Sequence, residues 1–157
     1  MQYDKKLLWK DNEKQYTDQE LFDELNNYVE KGGVIYVGTD SMLYNDICKF
    51  ASVVAIHSND QKIGKYFYKR ASLPAKKYKK LQNKIFEEVD CSLEIARKLE
   101  KIYPHAKIEV HVDIGIDSKC KTKKYIDTVK GWVNGLGFAF KFKPKSWASS
   151  VADWYSK

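Results

Sequence analysis

The sequence predicts an α/β domain: a mixed five-stranded sheet, three antiparallel strands and then two added through helical crossovers, with helices on both faces. Three observations predict it. Three runs of β-branched and aromatic residues follow one another between Val34 and Arg70 with no helical pattern between them. Beyond them helical and strand patterns alternate, and no Pro-, Gly- or Ser-rich stretch divides the chain. Finally, 157 residues, 43% hydrophobic and 31% charged, suffice for one packed domain. A chain of this size buries about 68 to 70% of its unfolded surface and needs no disulfide or metal staple.

The elements follow in order. Residues 1–33 read as an N-terminal extension and helix, and residues 34–157 as the core. Thr17 with Glu20 three residues later forms a capping box, and Leu21, Leu25 and Tyr28 recur at helical spacing until Gly32 and Gly33. Residues 34–41 (VIYVGTDS) are apolar on both faces up to Asp40, as in a central strand covered on both sides. Residues 50–57 and 62–70 are two further strands, joined at Ser58, Asn59 and Asp60 into a meander. After Pro74 comes a long helix over 75–101, with Leu81, Ile85, Ser92, Ala96 and Leu99 on one face. Residues 107–113 form a strand, 121–134 a helix and 138–143 the last strand; Ser146 then caps a helix through Tyr155. This order is the ribonuclease H architecture.

Several classes are excluded. No apolar stretch approaches the ~20 residues of a membrane span. The first ten residues, MQYDKKLLWK, lack the apolar core of a signal peptide, so the expected location is cytoplasmic. Cys48, Cys91 and Cys120 contain no CxxC pair, which argues against a disulfide framework or a structural zinc site. The net charge of +7 and lysine runs at 76–80 and 119–124 suit a polyanion such as nucleic acid.

The acidic residues give the fold chemical content. Asp40 lies near the end of an apolar strand, where a lone buried carboxylate is costly unless paired or bound to a metal. Asp113 ends the fourth strand in the same way. In the expected topology that strand runs parallel to and beside the first, so the two carboxylates stand together and repel unless a cation separates them. Either Asp alone reads as a turn or cap residue; their adjacency points to the metal.

Geometry selects two more. On a helix face centred on Leu81, Ile85 and Leu99, Glu88 lies about 20° from Leu81 and Leu99, whereas Glu87 and Glu94 fall about 120° to 140° away. Thirteen helical residues from Glu88 to Lys101 span about 20 Å, and six strand steps from Lys107 to Asp113 also span about 20 Å, so Glu88 returns to the level of Asp113. Asp153 lies on the C-terminal helix among Ser146, Ser149 and Ser150, small residues that allow close approach to a polar site, opposite a stripe of Trp147, Val151 and Trp154. On spacing alone it reads equally as an exposed helix Asp. His111, two residues before Asp113, shares its face about 7 Å away. It suits orienting a ligand or shuttling a proton, and equally a hydrogen-bonded structural histidine.

The GTDS at 38–41, KIFEEVDCSLEIA at 84–96, EVHVDIG at 109–115 and KPKSWASSVAD at 143–153 resemble the YkuK family of bacterial and phage proteins. That family is ribonuclease-H-like and has no firmly assigned activity, and the resemblance runs from about Thr17 onward. It implies the same fold and places the family's acidic positions on Asp40, Glu88, Asp113 and Asp153.

Four converging carboxylates suit Mg²⁺ or Mn²⁺, two ions in a two-metal phosphodiester hydrolysis. Asp40 is expected to bridge both ions, Glu88 and Asp113 to hold the first, and Asp153 the second. Lys143 and Lys145, with Lys76, Lys77, Lys79, Lys80 and Lys84, are expected to contact phosphates. The leading expectation is a metal-dependent nuclease of ribonuclease H type acting on RNA, DNA or a hybrid. The alternative is a catalytically silent nucleic-acid-binding or protein-interaction module on the same fold.

Overall fold

Thr17 starts the first helix as its spacing predicts. Its hydroxyl accepts the Glu20 N–H while Glu20 Oε1 accepts the Thr17 N–H, and α1 (Asp18–Val29) buries Leu21 and Leu25. Ahead of it lie two short strands, β1 (Trp9–Lys10) and β2 (Gln15–Tyr16). The chain continues through β3 (Val34–Tyr44), β4 (Ile47–His57), β5 (Gly64–Pro74), α2 (Leu81–Ile102), β6 (Lys107–Gly115), α3 (Ile126–Gly135), β7 (Ala139–Lys143) and α4 (Trp147–Ser156). The computed structural model describes residues 8–57, 64–115 and 121–157. The turn expected at 58–60, residues 62–63 of the third expected strand, Lys119 and Cys120 lie outside them.

The sheet has seven strands, not five, in the order β2-β1-β5-β4-β3-β6-β7. The additions are β1 and β2, an antiparallel pair that extends the edge beyond β5. Two-residue strands are too short for alternation to register in a sequence. Tertiary burial holds them instead: Trp9 and Tyr16 are buried, and Tyr16 meets Phe67 edge to face. The expected five form the rest, with β3, β4 and β5 antiparallel and β3, β6 and β7 parallel.

Several boundaries differ; β5 runs on to Pro74 and β6 to Gly115. β3 runs on to Tyr44 and β4 starts at Ile47, because Asn45, at φ 27°, closes a two-residue hairpin between them. Residues expected to open the long helix instead form a 3₁₀ turn, Ala75–Lys79, and Lys80 is extended before α2 begins at Leu81. Four lysines at 76, 77, 79 and 80 would crowd the positive end of the helix dipole. A second 3₁₀ turn, Lys123–Tyr125, likewise precedes α3. Ser146 stands at the start of α4 but makes no side-chain cap; its carbonyl accepts from Ser149 Oγ at 2.7 Å.

β3 is covered on both faces, as its continuous apolar run predicts. On one side Ile35 and Val37 of β3 and Val110, Val112 and Ile114 of β6 join Ile85, Val89 and Leu99 of α2 and Val133 of α3 in the main core. On the other, Val53 and Ala55 of β4 pack with Ala152 of α4. The buried stripe of α4 is Ala148, Ser149, Ala152 and Ser156; the stripe of Trp147, Val151 and Trp154 is not its buried face, and Trp154 is 80% exposed. Small residues let α4 lie directly on the sheet. A Cβ on Gly38 would stand 2.6 Å from Ser149 N and 2.7 Å from the Ala148 carbonyl carbon, so glycine is required there.

Candidate functional site

Parallel pairing of β3 with β6 runs from Val34–Lys107 to Gly38–His111. Asp40 and Asp113 lie two residues further along each strand, at the same level and past the last paired residues. β6 also breaks register with β7 there: His111 matches Lys141 while Gly115 matches Lys143, so β6 carries two extra residues around Asp113. Such irregularities bend a strand and re-aim its side chains.

Alternation along β3 splits its polar residues between the two faces. Thr39 and Ser41 face α2: Thr39 Oγ1 lies 2.9 Å from Ser52 Oγ and 2.8 Å from Ser92 Oγ, and Ser41 Oγ donates to Glu88 Oε1 at 2.5 Å. Asp40 faces α4, where Ser156 Oγ donates to its Oδ2 at 3.3 Å. Both carboxyls are deeply buried, Asp40 at 5% and Glu88 at 4% exposure. Asp113 and Asp153 are partly exposed.

The four groups feel one another. Burial pushes the Asp40 carboxyl up to about 8, aided by the Glu88 charge, a hydrogen bond to Asp153 and the Asp113 charge, against the pull of Lys84. Asp40 is therefore the donor in its bond to Asp153. Burial pushes Glu88 up to about 7; Lys84 and the Ser41 hydroxyl oppose this, and Asp113 adds to it. Asp153 also feels burial, but Lys157, the Asp40 hydrogen bond and Lys143 outweigh it and hold its carboxyl below the usual range.

Lysines neutralise three of the carboxylates. Lys143 Nζ is 2.8 Å from Asp113 Oδ1, Lys157 Nζ 3.0 Å from Asp153 Oδ2 and Lys84 Nζ 3.5 Å from Glu88 Oε1. Among the described residues, no three carboxylate, imidazole or thiol groups converge on one point as they stand. The donor set nevertheless suits a hard cation: four carboxylates, all oxygen, two of them forced toward protonation by burial and mutual repulsion. As the chain stands, lysine ammonium groups balance three of these carboxyls.

The structure places the other expected residues as follows. His111 is on the Asp113 face but only 1% exposed, and both ring nitrogens are engaged: Nδ1 accepts the Ala148 N–H and Nε2 lies 3.1 Å from Glu109 Oε1. Burial lowers its pKa, opposed by Glu109. With Tyr36 and Trp147 packed against its ring, it anchors the start of α4, and a proton shuttle finds no open nitrogen there. Lys84 and Lys143, expected on phosphates, lie on carboxylates. Lys145 is exposed. Lys76, Lys77 and Lys79 are exposed on the 3₁₀ turn and Lys80 just after it; Lys76, Lys77 and Lys80 stand beside a hollow of about 570 Å³ that Leu73, Pro74, Tyr78 and Asn83 also line.

Sequence reasoning missed Ser41, Ser156 and Lys157 as partners of the carboxylates. Two signals were present. Ser156 continues the small-residue stripe Ala148–Ala152 at i+4, and Lys157 follows Asp153 at i+4. Ser41, next to Asp40 on a strand, faces the opposite side by alternation, where α2 lies.

Comparison with known proteins agrees with this architecture. Residues 19–157 match the family described as Ribonuclease H-like. Over 171 aligned positions the chain is 28% identical to "Uncharacterized protein YkuK" of Bacillus subtilis (strain 168), a match covering 96% of this chain and 97% of that protein. No solved structure matches the chain. A family match from α1 to the C-terminus, a relative aligned over almost the whole of both chains and a mixed sheet covered by helices together show that this chain belongs to the ribonuclease H-like family, as a YkuK-family member.

Proposed function

We propose that the protein is a divalent-metal-dependent nuclease that hydrolyses phosphodiester bonds in nucleic acid, with Asp40, Glu88, Asp113 and Asp153 as the ligands of Mg²⁺ or Mn²⁺. The observation that carries the reading is the Asp40 carboxyl, 5% exposed and level with Asp113 on the neighbouring strand, which burial and then the Glu88 charge, the Asp153 hydrogen bond and the Asp113 charge push up to about 8. Besides the Ser156 hydroxyl and the Lys84 charge, the groups that act on Asp40 are the carboxyls of Glu88, Asp153 and Asp113. Asp40, Glu88, Asp113 and Asp153 would hold the ions, whose chemistry there would be Lewis-acid stabilisation of a phosphoryl oxygen and a lowered pKa of bound water.

The chain's own residues do the rest. Ser41, on the strand that Thr39 locks to Ser52 and Ser92, fixes the Glu88 carboxylate. His111 and Gly38 hold α4 close to the sheet, which keeps Asp153 beside Asp40. Exposed Lys145 and the lysines at 76, 77, 79 and 80 suit backbone phosphates, which set affinity and register without reading sequence. A second reading, a binding module without turnover, is favoured by the lysines that already neutralise Asp113, Asp153 and Glu88.

Asp40→Asn and Asp113→Asn separate the two. Each is expected to abolish Mn²⁺-dependent cleavage across RNA, DNA and hybrid substrates while leaving nucleic-acid binding and the circular-dichroism spectrum intact. Cleavage by the purified variants at the wild-type rate would assign any activity to a contaminant and overturn the nuclease reading.

A further inference from the structure

Three elements each bring an ammonium group to the carboxylate cluster: Lys84 from α2, Lys143 from the end of β7, and Lys157 from just past α4. They differ in exposure. The Lys84 side chain is 22% exposed and pairs with a nearly buried Glu88, whereas the Lys143 and Lys157 side chains are 51% and 59% exposed and hold the two most open carboxylates. A long, half-exposed lysine stem swings into solvent at little packing cost. A divalent cation on Asp113 or Asp153 would meet an ammonium already on the same carboxylate, and the like charges cannot share the oxygens. Once displaced, each ammonium stays tethered beside the site, where a nucleic-acid phosphate is the complementary anion.

We infer that Lys143 and Lys157 are exchangeable counter-ions, which neutralise Asp113 and Asp153 in the metal-free chain and move to substrate phosphate when the cation loads. Metal and nucleic acid then bind cooperatively, because each removes a charge conflict the other would face, and the coupling is reciprocal. This deepens the metal-site reading above and rests on it. Lys145, exposed two residues from Lys143 and outside the three ion pairs, is the control for loss of positive charge in the Mn²⁺ titration alone, since it too suits a phosphate.

The test titrates Mn²⁺ alone, by calorimetry, into wild type, Lys143→Met, Lys157→Met and Lys145→Met, and follows a nuclease-resistant phosphorothioate oligonucleotide by anisotropy with and without Mn²⁺. Lys143→Met and Lys157→Met are expected to tighten Mn²⁺ by about two- to fivefold each, the range a half-exposed ion pair commands. Both should weaken oligonucleotide binding in Mn²⁺ by a similar factor, and Lys145→Met should leave Mn²⁺ affinity at the wild-type value. If Lys143→Met and Lys157→Met bind Mn²⁺ no tighter than Lys145→Met, the exchange is overturned while Mn²⁺ binding by wild type leaves the metal reading standing. Tighter Mn²⁺ with unchanged oligonucleotide binding overturns the transfer to phosphate. No Mn²⁺ binding by any form removes the metal reading, and this inference with it.

Discussion

Glu88 and Glu94 lie six residues apart on α2 and occupy different surroundings. Glu88 is 4% exposed and bonded to Ser41, in the electrostatic reach of Asp40 and Asp113. Glu94 is only partly buried, beside Trp9, Lys69 and Lys98. Glu88→Gln is therefore expected to weaken Mn²⁺ binding at least tenfold, since a direct ligand outweighs the 10- to 100-fold effect of outer partners, or matches its lower end. Glu94→Gln should leave it unchanged. Calorimetric titration of both variants checks this, and equal losses would move the third ligand elsewhere. The burial of Glu88 was legible in the sequence because a long amphipathic helix states its phase at every turn. The bonds from Ser41 and Ser156 were not, because they join residues 47 and 116 positions apart and depend on how closely two helices approach the sheet.

At the scale of elements, α4 is the part whose position the site depends on most. Gly38 admits it, His111 receives the Ala148 N–H, and Ser156 at its far end reaches Asp40. Gly38→Ala must push the helix out, at about 1 to 3 kcal/mol for overpacking, or a drop of several degrees in Tm for a domain of this size. Because the displacement carries Asp153 away from Asp40, Mn²⁺ affinity should fall with it. Thermal unfolding and calorimetry on this variant check both; a stable variant with full affinity would show that α4 does not position the site. The small residues of 146–153 predict a close approach of this helix, but the face it buries lies one stripe away from the expected one. Spacing alone cannot tell a stripe of Trp and Val from one of Ala and Ser when the neighbour is a glycine-bearing strand. The β1–β2 hairpin escaped for a different reason: its strands are too short to alternate, and Trp9 and Tyr16 are held by residues far along the chain. The basic turn before α2 carries its own expectation. Replacing Lys76, Lys77, Lys79 and Lys80 together with Ala should make the slope of log affinity against log salt shallower by about 0.7 to 0.9 for each phosphate that these lysines neutralise. An unchanged slope would place the nucleic acid elsewhere.

For the whole molecule, the cluster imposes a pH dependence. In the folded metal-free chain Asp40 and Glu88 hold protons up to about 8 and about 7, while the unfolded chain releases them near 3.8 and 4.5. The folded state thus binds more protons across that window, so their contribution to stability is full below pH 4 and is lost as pH rises through 7 and 8. Asp11, held down to about 2 against the pull of burial by Tyr16 and neighbouring backbone N–H groups, has the opposite sign but completes its effect below that window, and His111, whose pKa burial lowers, offsets part of the fall only up to its ordinary value of 6.5. The Tm of metal-free protein should fall between about pH 5 and 8, Asp40→Asn should flatten the fall, and Mn²⁺ should raise Tm most at about pH 8, where no proton has to be displaced. A Tm that rises over this range without metal would contradict the cluster's electrostatics.

Five of the seven strands of the ribonuclease-H-like sheet were legible because each crossover has its own periodic signature, while the lysine partners of the carboxylates were not, since salt bridges follow from side-chain reach and not from pattern. The most direct test is anomalous scattering from a crystal soaked in Mn²⁺. The account predicts density within about 2 to 2.5 Å of Asp40 and Asp113 carboxylate oxygens, with Lys143 turned away from Asp113. An empty site at saturating Mn²⁺, with Lys143 still on Asp113 and Lys157 still on Asp153, would contradict it.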